Sequence, residues 1–102
     1  MAKVSIVRGV VDTSRAYVIP IMDAAPLGKS FITSSGTAQP TTDSAASAGN
    51  EFWEITASGG AVWVKIGVAA VAAANNDFLV PDGATKYRKS RTAGEIVSVI
   101  DA

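Results

Sequence analysis

The residues that could do chemistry are few, and their spacing limits what they could do. Carboxylates fall in two near pairs, Glu51 with Glu54 and Asp77 with Asp82. Acid–base work needs two carboxyl groups converging on one cleft with their proton affinities pushed apart. Glu51 and Glu54 are three apart in an alternating stretch, which puts them on opposite faces of a strand. Asp82 stands in Pro81-Asp82-Gly83, where backbone hydrogen bonding in a turn accounts for it. Asn75-Asn76-Asp77 offers oxygen ligands, but its spacing matches no Ca²⁺ loop, so a turn is the expected role. The chain has no histidine and no cysteine. The first absence removes the commonest general base, metal ligand and pH switch together, and the second removes any disulfide or thiolate site. Lys29-Ser30 is too common a dipeptide to mark a Ser–Lys dyad. The glycine-containing pieces Ser34–Ala38 and Thr56–Gly60 lack the lysine and the strand–glycine–helix setting of a phosphate loop. No enzyme activity, cofactor, metal site or small-molecule substrate is expected.

One cluster of charge remains. Lys86, Arg88, Lys89 and Arg91 surround Tyr87. Such a group could contact phosphate beside a stacking ring, dock on acidic protein loops, or form a solvated strand end. Lys plus Arg and Asp plus Glu are nine each, so the net charge is zero. A neutral chain is not a general polyanion binder. Nucleic acid is therefore not expected, and the other two roles stay open.

The elements that must position these residues are short strands. Phe52–Ile66, FWEITASGGAVWVKI, alternates on both sides of Ser58-Gly59 and reads as a β-hairpin with a two-residue loop. With Ala57 opposite Gly60, Ile55 faces Val62 and Trp53 faces Val64, so the core candidates share one side. Phe52, Glu54, Thr56, Trp63 and Lys65 share the other. Two large aromatics on a polar face suggest a surface made to be covered by another chain. Val4–Val7 and Val10–Val11 are β-branched and split at Gly9. Tyr17–Met22 is apolar but contains Pro20, which favours an edge strand or extended arm. Lys29–Thr33 is the next strand. Ser34–Asn50 is almost wholly small and polar, a long loop or a weak strand between two loops. Phe78–Val80, Thr85–Lys89 and Glu95–Ile100 follow, separated by Pro-Asp-Gly and Thr-Ala-Gly turns. Val68–Asn75 reads as a loop or extended segment, with a single helical turn as the minor option.

This pattern predicts an all-β fold, a small antiparallel β-sandwich or jelly-roll-like barrel with an extended N-terminal arm. Residues 1–27 are the expected arm or edge strand and 28–102 the single sandwich domain. A chain of 102 residues is enough for one core. Apolar residues are 48% but aromatics only 7%, so the core must be thin. Trp53, Ile55, Val62, Val64 and Ile66 are its expected members, with Leu79, Ile96 and Ile100. The longest small-apolar run, Gly67–Ala74, is far short of the roughly 20 residues that span a bilayer. Charges at Lys3, Arg8, Asp12 and Arg15 interrupt any signal-peptide core. No membrane partner is expected.

The second half of the chain resembles small β-sandwich virion proteins of tailed bacteriophages, found as capsid decoration (cement) proteins and in tail or fibre modules. The matching pieces are Val62–Gly67, Val80–Gly83 and Ala93–Ile100, with Glu95 where the pattern often has Asp. The resemblance implies a structural protein on the outer surface of a phage head, made in the host cytoplasm. It implies the major capsid protein and sister subunits as partners, with a homotrimer as the default. A tail, baseplate or fibre-attachment module is the alternative, and a carbohydrate or host-surface binding module using Trp63 and Phe52 is a further one. Interface candidates are Phe52, Trp63 and Lys65 on the hairpin, Tyr17, Ile19 and Ile21 on the arm, and Lys86, Arg88 and Arg91 on the basic segment.

Overall fold

The computed structural model describes residues 1–12, 21–22, 27–45, 51–72 and 78–102. β-branched and aromatic residues in period-two alternation form nine strands there. They are β1 (Lys3–Asp12), β2 (Ile21–Met22), β3 (Gly28–Thr33), β4 (Gln39–Pro40), β5 (Glu51–Ser58), β6 (Val62–Gly67), β7 (Phe78–Val80), β8 (Thr85–Lys89) and β9 (Ile96–Asp101). All pairings are antiparallel. The first sheet runs β2-β1-β5-β8, with β3 on the same side of β1 as β2, and the second runs β4-β9-β6-β7. The two sheets face each other as a small all-β sandwich, with no helix among the described residues.

Directly opposite residues of an antiparallel pair share a face, so the register sorts inside from outside. Val4 lies opposite Ala57, Ile6 opposite Ile55 and Arg8 opposite Trp53. From the second sheet Val64 lies opposite Val99 and Ile66 opposite Val97, with Val62 opposite Val80. Val4, Ile6, Trp53, Ile55, Ala57, Val62, Val64, Val80, Val97 and Val99 form the buried core. Trp53 is the one large aromatic among them and is fully buried.

Three expectations need correction. Within the expected arm of residues 1–27, the first twelve are part of the sandwich: β1 pairs with β3 on one side and β5 on the other, and Ala2, Val4 and Ile6 are core, while 13–20 and 23–26 lie outside the described residues. Gly9 does not interrupt it, since Gly9 opposite Phe52 is an ordinary rung. Tyr17 and Ile19 lie outside the described residues, and the backbone of Ile21 pairs with Asp12 at the sheet edge. The central hairpin is not a hairpin either. β5 pairs with β1 and β8, while β6 pairs with β9 and β7, so Ser58–Ala61 crosses between the sheets. Alternation puts Trp53, Ile55, Val62 and Val64 inside in both arrangements, which is why the faces were legible and the pairing was not. Last, β7 and β9 are one residue out of the expected phase. Val80, Val97 and Val99 are buried, whereas Leu79 is exposed and Ile96 and Ile100 are half-buried.

From Thr33 onward every connection except β6–β7 passes from one sheet to the other. The turns that do so are tied together. Gly59, at φ 87°, occupies the left-handed region that glycine adopts without strain. Its amide donates to Asp82 Oδ1 at 2.8 Å, so the Ser58–Ala61 and Pro81–Gly83 turns brace each other. The Asp82 carboxylate has the turn role its sequence context indicates. After β6, Gly67–Ala72 folds back on the second sheet, and Ala72 N donates to buried Ser98 Oγ at 3.0 Å.

Two outcomes are expected from this packing. Trp53→Ala costs about 3–5 kcal/mol in urea unfolding, the range for deleting a buried aromatic. Removing Ala2–Asp12 takes out the strand between β3 and β5, so the truncated chain shows no cooperative thermal transition. A folded truncation product would show that β1 is dispensable.

Candidate docking surfaces and the buried charge network

The carboxylates do not converge on a cleft. Glu54 lies on the outer face of the first sheet and Glu51 on the inner, as their spacing requires, while Asp77, Asn75 and Asn76 lie outside the described residues. Lys29 is exposed and Ser30 buried, on opposite faces of β3. Among the described residues no three of Asp, Glu, His and Cys gather as a metal set.

Glu51 serves instead in an ion-pair network that sequence reasoning missed. Arg8 follows Val4 and Ile6 in the inward phase of β1 and enters the sandwich as a charge. Its Nη1 donates to Glu51 Oε1 at 2.8 Å and Oε2 at 3.0 Å. Nε and Nη2 donate to Asp43 Oδ2 at 2.8 Å and Oδ1 at 3.0 Å. The hydrogen bond to Asp43 and then that to Glu51 hold the guanidinium above its ordinary proton affinity, against the opposing effect of burial. Because the folded value is raised, titration of the guanidinium itself removes none of this contribution below strong alkali. Asp43 is carried there by the segment after β4, where Thr41 Oγ1 donates to Asp43 O and accepts from Val97 N. Gly28 is required beside it, since a Cβ at that position would collide with the Asp43 carboxylate. Next to this network, Trp53 Nε1 donates to buried Glu95 Oε1 at 2.9 Å and Arg91 N to Glu95 Oε2 at 3.2 Å. These carboxylates are saturated by structural donors, so the arrangement locks one end of the core.

The outer faces carry the interface candidates, but not together. Trp63 is half-buried on the outer face of the second sheet, opposite Leu79 on one side and Ile100 on the other. The three form an apolar row across β7, β6 and β9. Lys65 lies on the same face opposite Ser98, and Val68 and Val71 are 62% and 65% exposed on the loop beyond it. Phe52 does not share that face. It lies on the outer side of the first sheet, away across the sandwich, where it is nearly buried and its ring sits 6.3 Å from that of Tyr87. The expected Phe52–Trp63–Lys65 surface therefore reduces to Trp63 and Lys65, because β5 and β6 are in different sheets. Tyr87 and Phe31 are the exposed aromatics of the first sheet, Phe31 at 77%. Phe31 borders a shallow groove of about 280 Å³ with Lys3, Ser5, Thr33, Thr56 and Ser58.

The basic segment lies along β8, one edge of the first sheet. Lys86 and Arg88 lie on the core side, opposite Ile55 and Trp53, beyond the rim of the other sheet. Arg88 does not simply point into solvent: its guanidinium carbon stands 4.1 Å above the Phe78 ring of β7, a cation–π contact that closes the gap between the sheets. Arg88, Lys89, Arg91 and Glu95 line a cleft of about 180 Å³ whose apolar wall is Ile66 and Phe78.

Arg8→Ala removes the guanidinium that Asp43 and Glu51 share inside the sandwich, and is expected to cost about 3–5 kcal/mol in urea unfolding. Replacing all three charged members with neutral side chains, Arg8→Met with Glu51→Leu and Asp43→Asn, recovers most of that loss. A triple variant as unstable as the single one would show that the network does more than compensate its own burial.

No protein-family model, no curated protein and no solved structure matches the chain.

Proposed function

We propose that this chain is a structural virion protein, a capsid decoration (cement) protein that docks on the outer surface of a phage head and stabilises it. The observation that carries the docking part is the Leu79–Trp63–Ile100 row. A neutral sandwich presents it on a sheet face, with Lys65 and the exposed loop valines Val68 and Val71 to one side. Aromatic anchors flanked by apolar neighbours and a polar rim are the usual composition of a binding hot spot. The virion setting rests on the resemblance in Val62–Gly67, Val80–Gly83 and Ala93–Ile100. The basic cleft of Arg88, Lys89 and Arg91 supports acidic protein loops as the complementary surface at the sandwich edge.

The mechanism is thermodynamic. A protein that binds only the assembled, expanded shell stabilises it by mass action, in proportion to the logarithm of free concentration over Kd. No residue needs to react for this, and the chain needs only a rigid face. A tail or fibre-attachment module would use the same face on a different partner, and the experiment separates the two.

Trp63→Ala should melt close to the unmodified chain, because Trp63 lies outside the core cluster. It should lose about 2 kcal/mol or more of binding to purified heads, roughly a 30-fold rise in Kd. Retention on heads with none on tails supports decoration. Full retention by a well-folded Trp63→Ala variant would sink the docking face, and binding to tails alone would move the protein to the tail module.

A further inference from the structure

Sheet edges are templates for another strand unless something blunts them. Most edges of this sandwich are blunted. β4 has two residues and ends in Pro40, and β7 has three and is followed by Pro81. β8 carries Lys86, Arg88 and Lys89. Bonds from Ser90 N to Glu51 O and from Ala57 N to Ala84 O turn Lys86 and Arg88 toward β5 and leave the Tyr87 carbonyl facing outward. Arg88 Nη1 caps that carbonyl at 2.8 Å. β3 has none of these protections. It is six residues long, has no proline and one charge, and carries the 77% exposed Phe31. Among the described residues no strand pairs with its far side.

We propose that β3 is a dimerisation edge, pairing antiparallel with β3 of a second copy about a twofold axis at Ser30. Ser34 N donates to Ala2 O, so Gly28, Ser30 and Ile32 bond toward β1, while the amides and carbonyls of Lys29, Phe31 and Thr33 face away. With the axis at Ser30, Lys29 and the partner's Phe31 exchange both of their backbone hydrogen bonds and set an ammonium beside a ring. Ser30 meets the partner's Ser30 in a non-hydrogen-bonded rung, with Cα atoms about 4.5 Å apart. Ser30 Oγ is the buried side-chain atom with no hydrogen-bond partner among the described residues. A χ1 rotation toward the axis gives it one. An axis at Phe31 would instead set Ser30 against the partner's Ile32. A second copy fits this edge better than a charged partner would, because the register sets no like charges directly opposite each other and the net charge is zero. The result is a dimer, in place of the trimer that the resemblance implies.

The contact names a sister copy as one partner within the docking reading, and rests on that reading only for its purpose. Sedimentation of the full chain at submillimolar concentration should show a dimer. Phe31→Pro removes an outward amide without touching the bonds to β1, so it should give a monomer with the melting curve kept. Ser30→Cys, the only thiol in its chain, should form a covalent dimer on oxidation, since the rung falls within the roughly 4.4–6.8 Å that a disulfide spans. Phe31→Cys, about 7–8 Å from its mate, should cross-link far more slowly. If Phe31→Pro fails to fold, the cysteine pair decides. A monomeric or trimeric chain, a dimeric Phe31→Pro variant, or faster linking by Phe31→Cys would overturn the proposal. An unmodified chain that binds heads without dimerising would mark the failure as one of this contact, whereas a dimeric Trp63→Ala variant that keeps full head binding would mark it as one of the docking face.

Discussion

A charge inside the sandwich sets the terms for everything around it. Arg8 is 9% exposed and stands beside Trp53, where a thin core of valines and isoleucines could not tolerate an unpaired cation. Glu51 answers from the neighbouring strand and Asp43 from a segment distant in sequence. Asp43 reaches Arg8 only because Thr41 pins the chain against β9 and Gly28 leaves room above it. Sliding β1 by two residues would put Ile6 or Val10 against the carboxylates, and in the second case would bury Arg8 in the place of Ile6 among methyl groups. The network thus selects one register of β1 on β5 out of several that satisfy alternation. Glu95 does the same for the other sheet, since its carboxylate holds the Trp53 indole and the Arg91 amide together.

How much of this was legible in the sequence follows from what alternation can encode. Period two sorts residues between two faces, so Trp53, Ile55, Val62 and Val64 were identified as core without knowledge of their partners. It cannot say which strand lies alongside. Ser58-Gly59 suits a tight hairpin and also a corner between sheets, and the choice depends on β1 and β8, which are remote in sequence. β7 and β9 failed for a smaller reason. Phe78-Leu79-Val80 and Ile96–Ile100 contain apolar residues in both phases, so the pattern has no preferred face, and Val64 and Ile66 opposite Val99 and Val97 decide it. The network carried a signal that could have been used. Arg8 is in phase with Val4 and Ile6, and Glu51 is in phase with Trp53 and Ile55. Opposite charges in the core phase of two alternating strands indicate a buried ion pair. Asp43, in a stretch of small polar residues, carried none.

The interface candidates divide along the same line. Trp63 and Lys65 face out of β6, as the alternation indicates. Phe52 shares that surface only if β5 and β6 are neighbours, and because they belong to opposite sheets its ring covers its own sheet beside Tyr87 instead. Phe31 was passed over, since a lone phenylalanine in a short strand reads as core until the strand is known to be an edge and the residue to face outward.

On the docking and dimer contacts proposed above, the two sheets divide the work of association. The second sheet offers side chains, an apolar row centred on Trp63, on a face whose backbone is internally satisfied and whose own edges are too short or proline-bound to pair. The first offers backbone on one side only, because the opposite edge is filled with cations and Arg88 is folded over both Phe78 and the Tyr87 carbonyl. Side-chain faces discriminate partners by shape and chemistry, whereas strand edges accept any extended segment of suitable register and need protection where pairing is unwanted. Placing four basic residues at one edge and a phenylalanine with a single lysine at the other is difficult to account for as solubility alone, since a uniform distribution would serve that better. The asymmetry is accounted for if one edge has to stay free of other chains and the other has to meet one.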